Sequence, residues 1–480
     1  MRAGLHVTDI TPPIGMEVPG GYGKSYSHQI HDPLKARAAV FEQDGTALAL
    51  VGVDTCDLPL SNRLLAQVRQ EIERRCGIPG DNVMVGASHT HSGGPLSWYE
   101  LNAFAEAPEL VRTLVREHST NPDPLYVEWA GRQIVSAVHE AYRARQEARL
   151  AVGRGVEDQS GFNRRFRMAN GRVYTHPGKG NPDIVAPAGP VDPEVGVLAA
   201  WSLGGELLGC VVNFGCHCTT FSGGISADYV CYLERTIQGA MGQQAGVVFL
   251  QGASGDVTQV DNRSLRAREF GEAWSRRVGT RVGAEAVKAL ASAEPGDLAP
   301  LTAATQVLHI QRRRPSATRL EQSRRIVEEG LRSGQRDTAW TFAKEIVLLD
   351  YLLRVDPIAE VEVQALQVGP AIFLSNPAEY FAESGLRIKR ASPFPYTFVV
   401  TLANGCVGYV PPAAAFAPDG GGYETVLCSY SNLEITAEEQ IATASLHLAH
   451  QLTPGIVPQP AQIEGPQEPW SYGVLGPDVE

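Results

Sequence analysis

The chain is poor in cysteine, in positive charge and in long apolar runs, and each shortage excludes something. Eight cysteines among 480 residues are too few for a disulfide-built scaffold. Several sit inside apolar runs, where a free thiol behaves as a small hydrophobe. A reduced, buried set and a cytoplasmic setting are therefore expected, or a secreted one if a leader has been removed. No stretch approaches the ~18 continuous apolar residues that span a bilayer. Met1-Arg2-Ala3-Gly4 leads straight into a first strand, without the apolar core and cleavage site of a secretion signal. Basic side chains number 41 against 53 acidic ones, a formal net charge of -12. That field repels polyanions, so neither nucleic acid nor an anionic membrane face is expected as a partner. The run Arg312-Arg313-Arg314 reads as a solvated patch. What is plentiful fits a globular chain with many turns: 43% hydrophobic residues, 49 glycines and 32 prolines, all dispersed.

Apolar periodicity alternates between strand-like and helix-like stretches. Strands are expected at residues 48–53, 82–86, 209–213, 247–250, 361–368, 371–374 and 398–402. Helices are expected at 61–75, 125–144, 228–241, 267–291, 320–332, 338–353, 379–389 and 437–450. Ser61 would cap the first of these. The alternation predicts an α/β fold of layered mixed sheets flanked by helices. Residues 295–303 could be a linker, but candidate site residues lie beyond them. One large domain over 1–453 is expected, with an irregular, docked tail over 454–480.

Two stretches carry chemistry. Ser88-His89-Thr90-His91-Ser92-Gly93-Gly94 follows an expected strand, and histidines at i and i+2 of an extended segment point the same way. At a strand end of an α/β sheet they suit a metal or an acid–base pair, or a pair of hydrogen-bonded loop histidines. Val211-Val212-Asn213-Phe214-Gly215-Cys216-His217-Cys218 is a strand running into a polar turn. Three adjacent side chains alternate in direction and do not easily share one tetrahedral ion. His217 is the ligand candidate there, with the cysteines as packing residues. His118, His139, His309, His447 and His450 lie in no motif and read as structural.

Further segments follow in order: Gln29-Ile30-His31-Asp32-Pro33-Leu34-Lys35-Ala36-Arg37, Asn163-Arg164, Gly255-Asp256-Val257-Thr258, Asn376-Pro377-Ala378-Glu379, and Leu402-Ala403-Asn404 through Gly408-Tyr409. Together with the two histidine segments they resemble the neutral/alkaline, non-lysosomal ceramidase family, over roughly residues 7–430. The resemblance implies a zinc-dependent amidohydrolase that cleaves an N-acyl bond with a metal-activated water. Its ligands would be His89, His217, Glu379 and Tyr409. It further implies that His91 faces the reacting centre and that Arg164 meets the substrate's developing negative charge. Tyr423 would stand near the site, with Asp228 and Asp256 supporting it.

Departures from the family pattern shift these expectations. Thr258-Gln259-Val260 stands where the family has Ser-Pro-Asn. Thr258 keeps a hydroxyl but adds a β-methyl that limits its rotamers, which favours water over a covalent nucleophile. Ser254 lacks the Gly-x-Ser-x-Gly elbow of a nucleophile. Residues 431–480 are too few for the family's further immunoglobulin-like domain of ~100 residues. Residues 97–124 are rich in Glu and Asn, unlike a lipid-gripping surface. A small N-acyl amide or ester is therefore an alternative substrate to ceramide. A non-catalytic binding protein on the same fold is the alternative from another class, and a metal-free serine or threonine hydrolase a third.

Overall fold

In the strand Thr46–Val53, Leu48 and Leu50 point to one face and Ala49, Val51 and Val53 to the other, and all five are buried. A strand apolar on both faces needs a layer on each side. In the computed structural model of the protein, which describes residues 1–59, 63–96, 101–221 and 224–480, both layers are present. Leu48 and Leu50 pack with Leu366, Phe373 and Phe398 of a second sheet. Ala49, Val51 and Val53 pack with Ile72, Ile134, Leu233 and Val282 from helices. Each fully buried large apolar side chain contributes about 1.5–3 kcal/mol.

The first sheet has eight strands in the order Gly246–Gln251, Leu207–Phe214, Glu194–Ser202, Gln146–Val156, Arg2–Asp9, Lys35–Gln43, Thr46–Val53, Val83–Ala87. Its outermost pairs at both ends are parallel and the rest antiparallel. The second sheet orders Leu301–Gln311, Ile358–Val368, Ala371–Ser375 and Tyr396–Val400. Helices α1 (Arg63–Cys76), α2 (Glu109–His118), α3 (Pro124–Arg143), α4 (Tyr229–Met241) and α5 (Glu272–Ser292) come before it in the chain. Helices α6 (Ala317–Ser333), α7 (Thr338–Val355), α8 (Ala382–Ala391) and α9 (Ala437–Gln451) interleave with it or follow it. α1, α3, α4 and α5 cover the large sheet, and α8 and α9 cover the far face of the small one through Ile388, Ile441 and Leu448. The layers are thus helix, sheet, sheet, helix. α2, α6 and α7 form a separate cluster around Leu114, Val327 and Trp340.

The large sheet curls until its two ends approach. A Cβ on Gly52 would lie 2.3 Å from the Phe249 carbonyl oxygen, so only glycine permits the approach. Curling brings the C-terminal ends of both parallel pairs to one place, which is where the histidine segments emerge.

The fold class agrees with the sequence expectation. Two local expectations do not hold. Residues 379–389 divide into a strand, Ala378–Tyr380, and α8, because the Glu379 backbone pairs with the strand Gly408–Val410. The Arg312 guanidinium is buried, paired with Asp356 at 2.7 Å and Asn432 at 2.8 Å, so this residue is not a solvated patch. The Ser61 cap lies outside the described residues. All eight cysteines are free and buried. The tail has no helix or strand beyond residue 452, and residues 459–480 are exposed, so docking ends near Pro458, which touches Gly296. Among the described residues, no helix is long and apolar enough to cross a membrane.

Candidate metal and active site

Val83–Ala87 runs out into His89 and His91, and Leu207–Phe214 into His217. The two outgoing segments pair, Thr90 beside Cys218, with the His91 N–H donating to the Cys218 carbonyl at 3.1 Å. Glu379 and Tyr409 arrive on two short parallel strands, Ala378–Tyr380 and Gly408–Val410, where they are register partners. His89 is not extended: its φ of +64° lies in the left-handed region. The histidine rings nevertheless converge, with centroids 4.8 Å apart for His89 and His91 and 4.6 Å for His89 and His217.

Hydrogen bonds fix which ring nitrogens carry hydrogen. His89 Nδ1 lies 2.7 Å from the Cys56 carbonyl, and His217 Nδ1 lies 2.8 Å from the Ser254 carbonyl. Carbonyls only accept, so in the neutral rings both Nδ1 atoms are the donors and both Nε2 atoms present lone pairs. Those two Nε2 atoms stand 3.5 and 3.1 Å from Glu379 Oε2. Among the described residues, this buried oxygen has no hydrogen-bond donor. One ligand atom each from His89, His217 and Glu379 lies within 4.8 Å of the others. Three lone-pair atoms facing one another at burial repel unless a cation or proton sits among them. Two imidazoles and a carboxylate, with the Tyr409 phenol on the same cavity wall, fit a zinc ion.

Charge around the cluster follows its burial. Burial and then the Arg164 charge push His217 down to about 4. Burial and then His89 and His217 push His91 well below its usual range. Burial would raise Glu379, but positive charge on the facing histidines, His89 first, would hold it well below the usual carboxylate range. Burial raises Tyr423 to about 12.

Arg164 stands behind the cluster. It donates from Nε to Glu424 at 2.9 Å and from Nη2 to the Gly255 carbonyl at 2.7 Å and the Tyr409 hydroxyl at 3.0 Å. Its Nη1 is 3.3 Å from His217 Nε2. It does not line the cavity over the site, because protein acceptors hold its fork. Tyr423 does line that cavity, its hydroxyl 3.2 Å from that of Tyr409. Thr258 is buried, and its hydroxyl accepts from the Val260 N–H at 3.4 Å. It too is absent from the cavity wall, because its strand pairs with Phe162–Asn163.

The two aspartates act at a distance. Asp228 caps α4 and accepts from Thr220 Oγ1 and the Phe221 N–H, which shapes the segment after His217. Asp256 accepts from Asn163 Nδ2 at 2.7 Å and the Ala382 N–H at 2.8 Å. It thereby ties the Arg164 segment to the helix that follows Glu379. Sequence reasoning missed Glu424, fully buried between Arg164 and Thr175, although its neighbour Tyr423 was singled out. It also missed Tyr22, Cys56, Asp57 and Tyr430, which line the cavity with His89, His91 and Glu379. No motif marks them.

No family model matches the chain. The neutral ceramidase of Pseudomonas aeruginosa is 26% identical over 310 residues, covering 61% of this chain and 42% of that protein. Neutral ceramidase A of Dictyostelium discoideum is 25% identical over 248 residues, 48% of this chain and 31% of that one. The matches thus span less than half the length of either relative. Among solved structures, neutral ceramidase from Pseudomonas aeruginosa superposes with a TM-score of 0.67 at 20% identity, over 95% of this chain and 76% of that one. A ceramidase complexed with C2 gives 0.66 at 19% identity, over 95% and 77%. At such identities the structural likeness establishes the fold. The chain is thus similar in sequence to neutral ceramidases and shares their fold.

Proposed function

We propose that the chain is a zinc-dependent hydrolase of N-acyl amides, with His89, His217, Glu379 and Tyr409 holding the ion. The supporting observation is the convergence of His89 Nε2, His217 Nε2 and Glu379 Oε2, which with neutral rings turn three lone pairs toward one another. A bound zinc supplies Lewis acidity toward an amide carbonyl and makes a water acidic near neutral pH. The chain's own groups do the rest. His91, on the cavity wall with its Nε2 3.4 Å from that of His89, is placed to hand a proton to the leaving nitrogen. The Tyr423 hydroxyl offers a hydrogen to the oxygen that gains charge. Arg164 acts through Tyr409 and fixes its phenol oxygen by a charge-assisted hydrogen bond. Thr258 takes no part in this reading. Ceramide is the substrate that the relatives' names carry, and an N-acyl amide is the class proposed for this chain. Free, buried cysteines suit a reducing, cytoplasmic setting.

The test is metal content of purified wild type and His89→Ala, followed by hydrolysis of N-acyl amides. About one zinc per chain in the wild type and little in the variant is the expected outcome. Equal zinc in both would sink the ligand assignment. Folded, zinc-free wild type without hydrolysis would favour the binding-protein alternative.

A further inference from the structure

Two cavities meet over the site. The inner one, of about 180 Å³, contains Glu379 and Tyr409 and is walled by Tyr22, Tyr423, Tyr430 and Cys56. The outer one, of about 320 Å³, is bounded by Ser25, Tyr26, Thr219 and Phe221. Pro19, Gly20, Gly21 and His91 line both, so the loop 18–26 and the His91 ring form the partition. Contact there is close: a Cβ on Gly20, whose φ is +131°, would lie 2.8–2.9 Å from ring and Cβ atoms of His91.

The partition is pinned. Val18 N–H donates to the Ser25 carbonyl at 2.9 Å across the loop. Thr120 Oγ1 reaches the Gly21 and Gly23 carbonyls at 3.3 and 2.9 Å. Lys344 on α7, fully buried, donates to the Tyr22 carbonyl between them. The same ammonium reaches the His118 carbonyl at 2.9 Å and Ser119 Oγ at 3.0 Å, and pairs with Glu345 at 2.8 Å. The Tyr22 ring leans on Phe342, centroids 5.7 Å apart. Three successive carbonyls held by side chains of other elements make a fixed wall.

Size then decides what fits. An apolar cavity of about 150 Å³ takes up benzene, whereas drug-sized ligands occupy about 300–1,000 Å³. We propose that loop 18–26, pinned by Lys344, is the specificity-determining element of this chain. It confines the acyl group to an inner compartment that holds a short chain or a single ring, leaves the amine in the outer one, and so selects compact N-acyl amides over long-chain ones. This rests on the hydrolase reading above. The aromatic inner walls suit an acyl group, and His91, touching both compartments, stands where the leaving nitrogen would be.

The experiment is calorimetric binding of N-acetyl-, N-butyryl-, N-octanoyl- and N-palmitoylethanolamine to the zinc-loaded full chain, with hydrolysis followed separately. Affinity is expected to fall about tenfold or more between butyryl and octanoyl. Tyr22→Ala, which removes an inner wall, should bring octanoyl binding back toward that of butyryl, and Lys344→Met should act in the same direction by freeing the loop. Equal binding at all lengths, or binding of none, overturns the proposal. A length limit unchanged in Tyr22→Ala overturns the role given to the loop, whether or not Lys344→Met folds. Length-selective binding without hydrolysis supports the compartments and defeats the hydrolase reading. Hydrolysis of every length does the reverse.

Discussion

At His89 the backbone leaves its strand in the left-handed region, with φ at +64°, a conformation that costs a non-glycine residue about 1–2 kcal/mol. Asparagine tolerates that conformation and valine does not. Compared with zinc-free wild type, zinc-free His89→Asn should therefore keep the unfolding midpoint and His89→Val should lower it, while both variants lose zinc binding; denaturation in chelator beside metal analysis separates the two effects. Arg164→Lys keeps a charge but not the fork that reaches Glu424, Gly255 and Tyr409 together. The expected result is a roughly 10–100-fold loss of metal affinity, read by competition with a chelator. Unchanged affinity would show that the guanidinium does not hold Tyr409 in place. His89, His217, Glu379 and Tyr409 were legible because each sits in a recognisable segment. Tyr22 and Tyr430 were not. Their places at the cavity depend on contacts such as that of Lys344 with the Tyr22 carbonyl, 322 residues away in sequence, and no local pattern encodes such a reach.

Among the elements, the strands apolar on both faces were legible from continuous apolar runs, and the helices other than α2 (Glu109–His118) from their period. Lys35–Gln43 was harder to read, because Arg37 interrupts its apolar pattern and is buried only by pairing with Asp54 at 2.7 Å and Glu234 at 3.0 Å. The split of residues 379–389 into strand and helix was hidden for a related reason. The strand exists through pairing with Gly408–Val410, and periodicity does not report a partner. Glycine substitutions test how tightly the elements close on one another. Gly52→Ala should destabilise by about 1–3 kcal/mol, since its Cβ would meet backbone at 2.3 Å. Gly239→Ala, in α4 with nothing within 4 Å, should stabilise by about 0.5–1 kcal/mol. Urea denaturation of both variants checks the pair, and similar midpoints would contradict the close approach at Gly52.

For the whole molecule, the buried Asp228 carboxyl contributes a pH dependence. Burial pushes it from 3.8 up to about 6, against the hydrogen bond from Thr220. Between those values the unfolded chain has released the proton and the folded chain keeps it, so this group's contribution to stability falls as pH rises through the window. The stability of wild type relative to Asp228→Asn should thus decline between those pH values, and a flat difference would refute the shift. Truncation after Pro458 should leave the melting temperature within about a degree, since residues 459–480 are exposed and exposed tails bury little. The order of assembly follows from the wiring of the site. Arg164 and the Tyr409 it grips are 245 residues apart, and a ribosome adding ~5–20 residues per second exposes the first roughly 10–50 s before it makes the second. Throughout that interval a nascent chain carries half a charged centre, and a cation seated there afterwards dates the moment when synthesis has passed Tyr409.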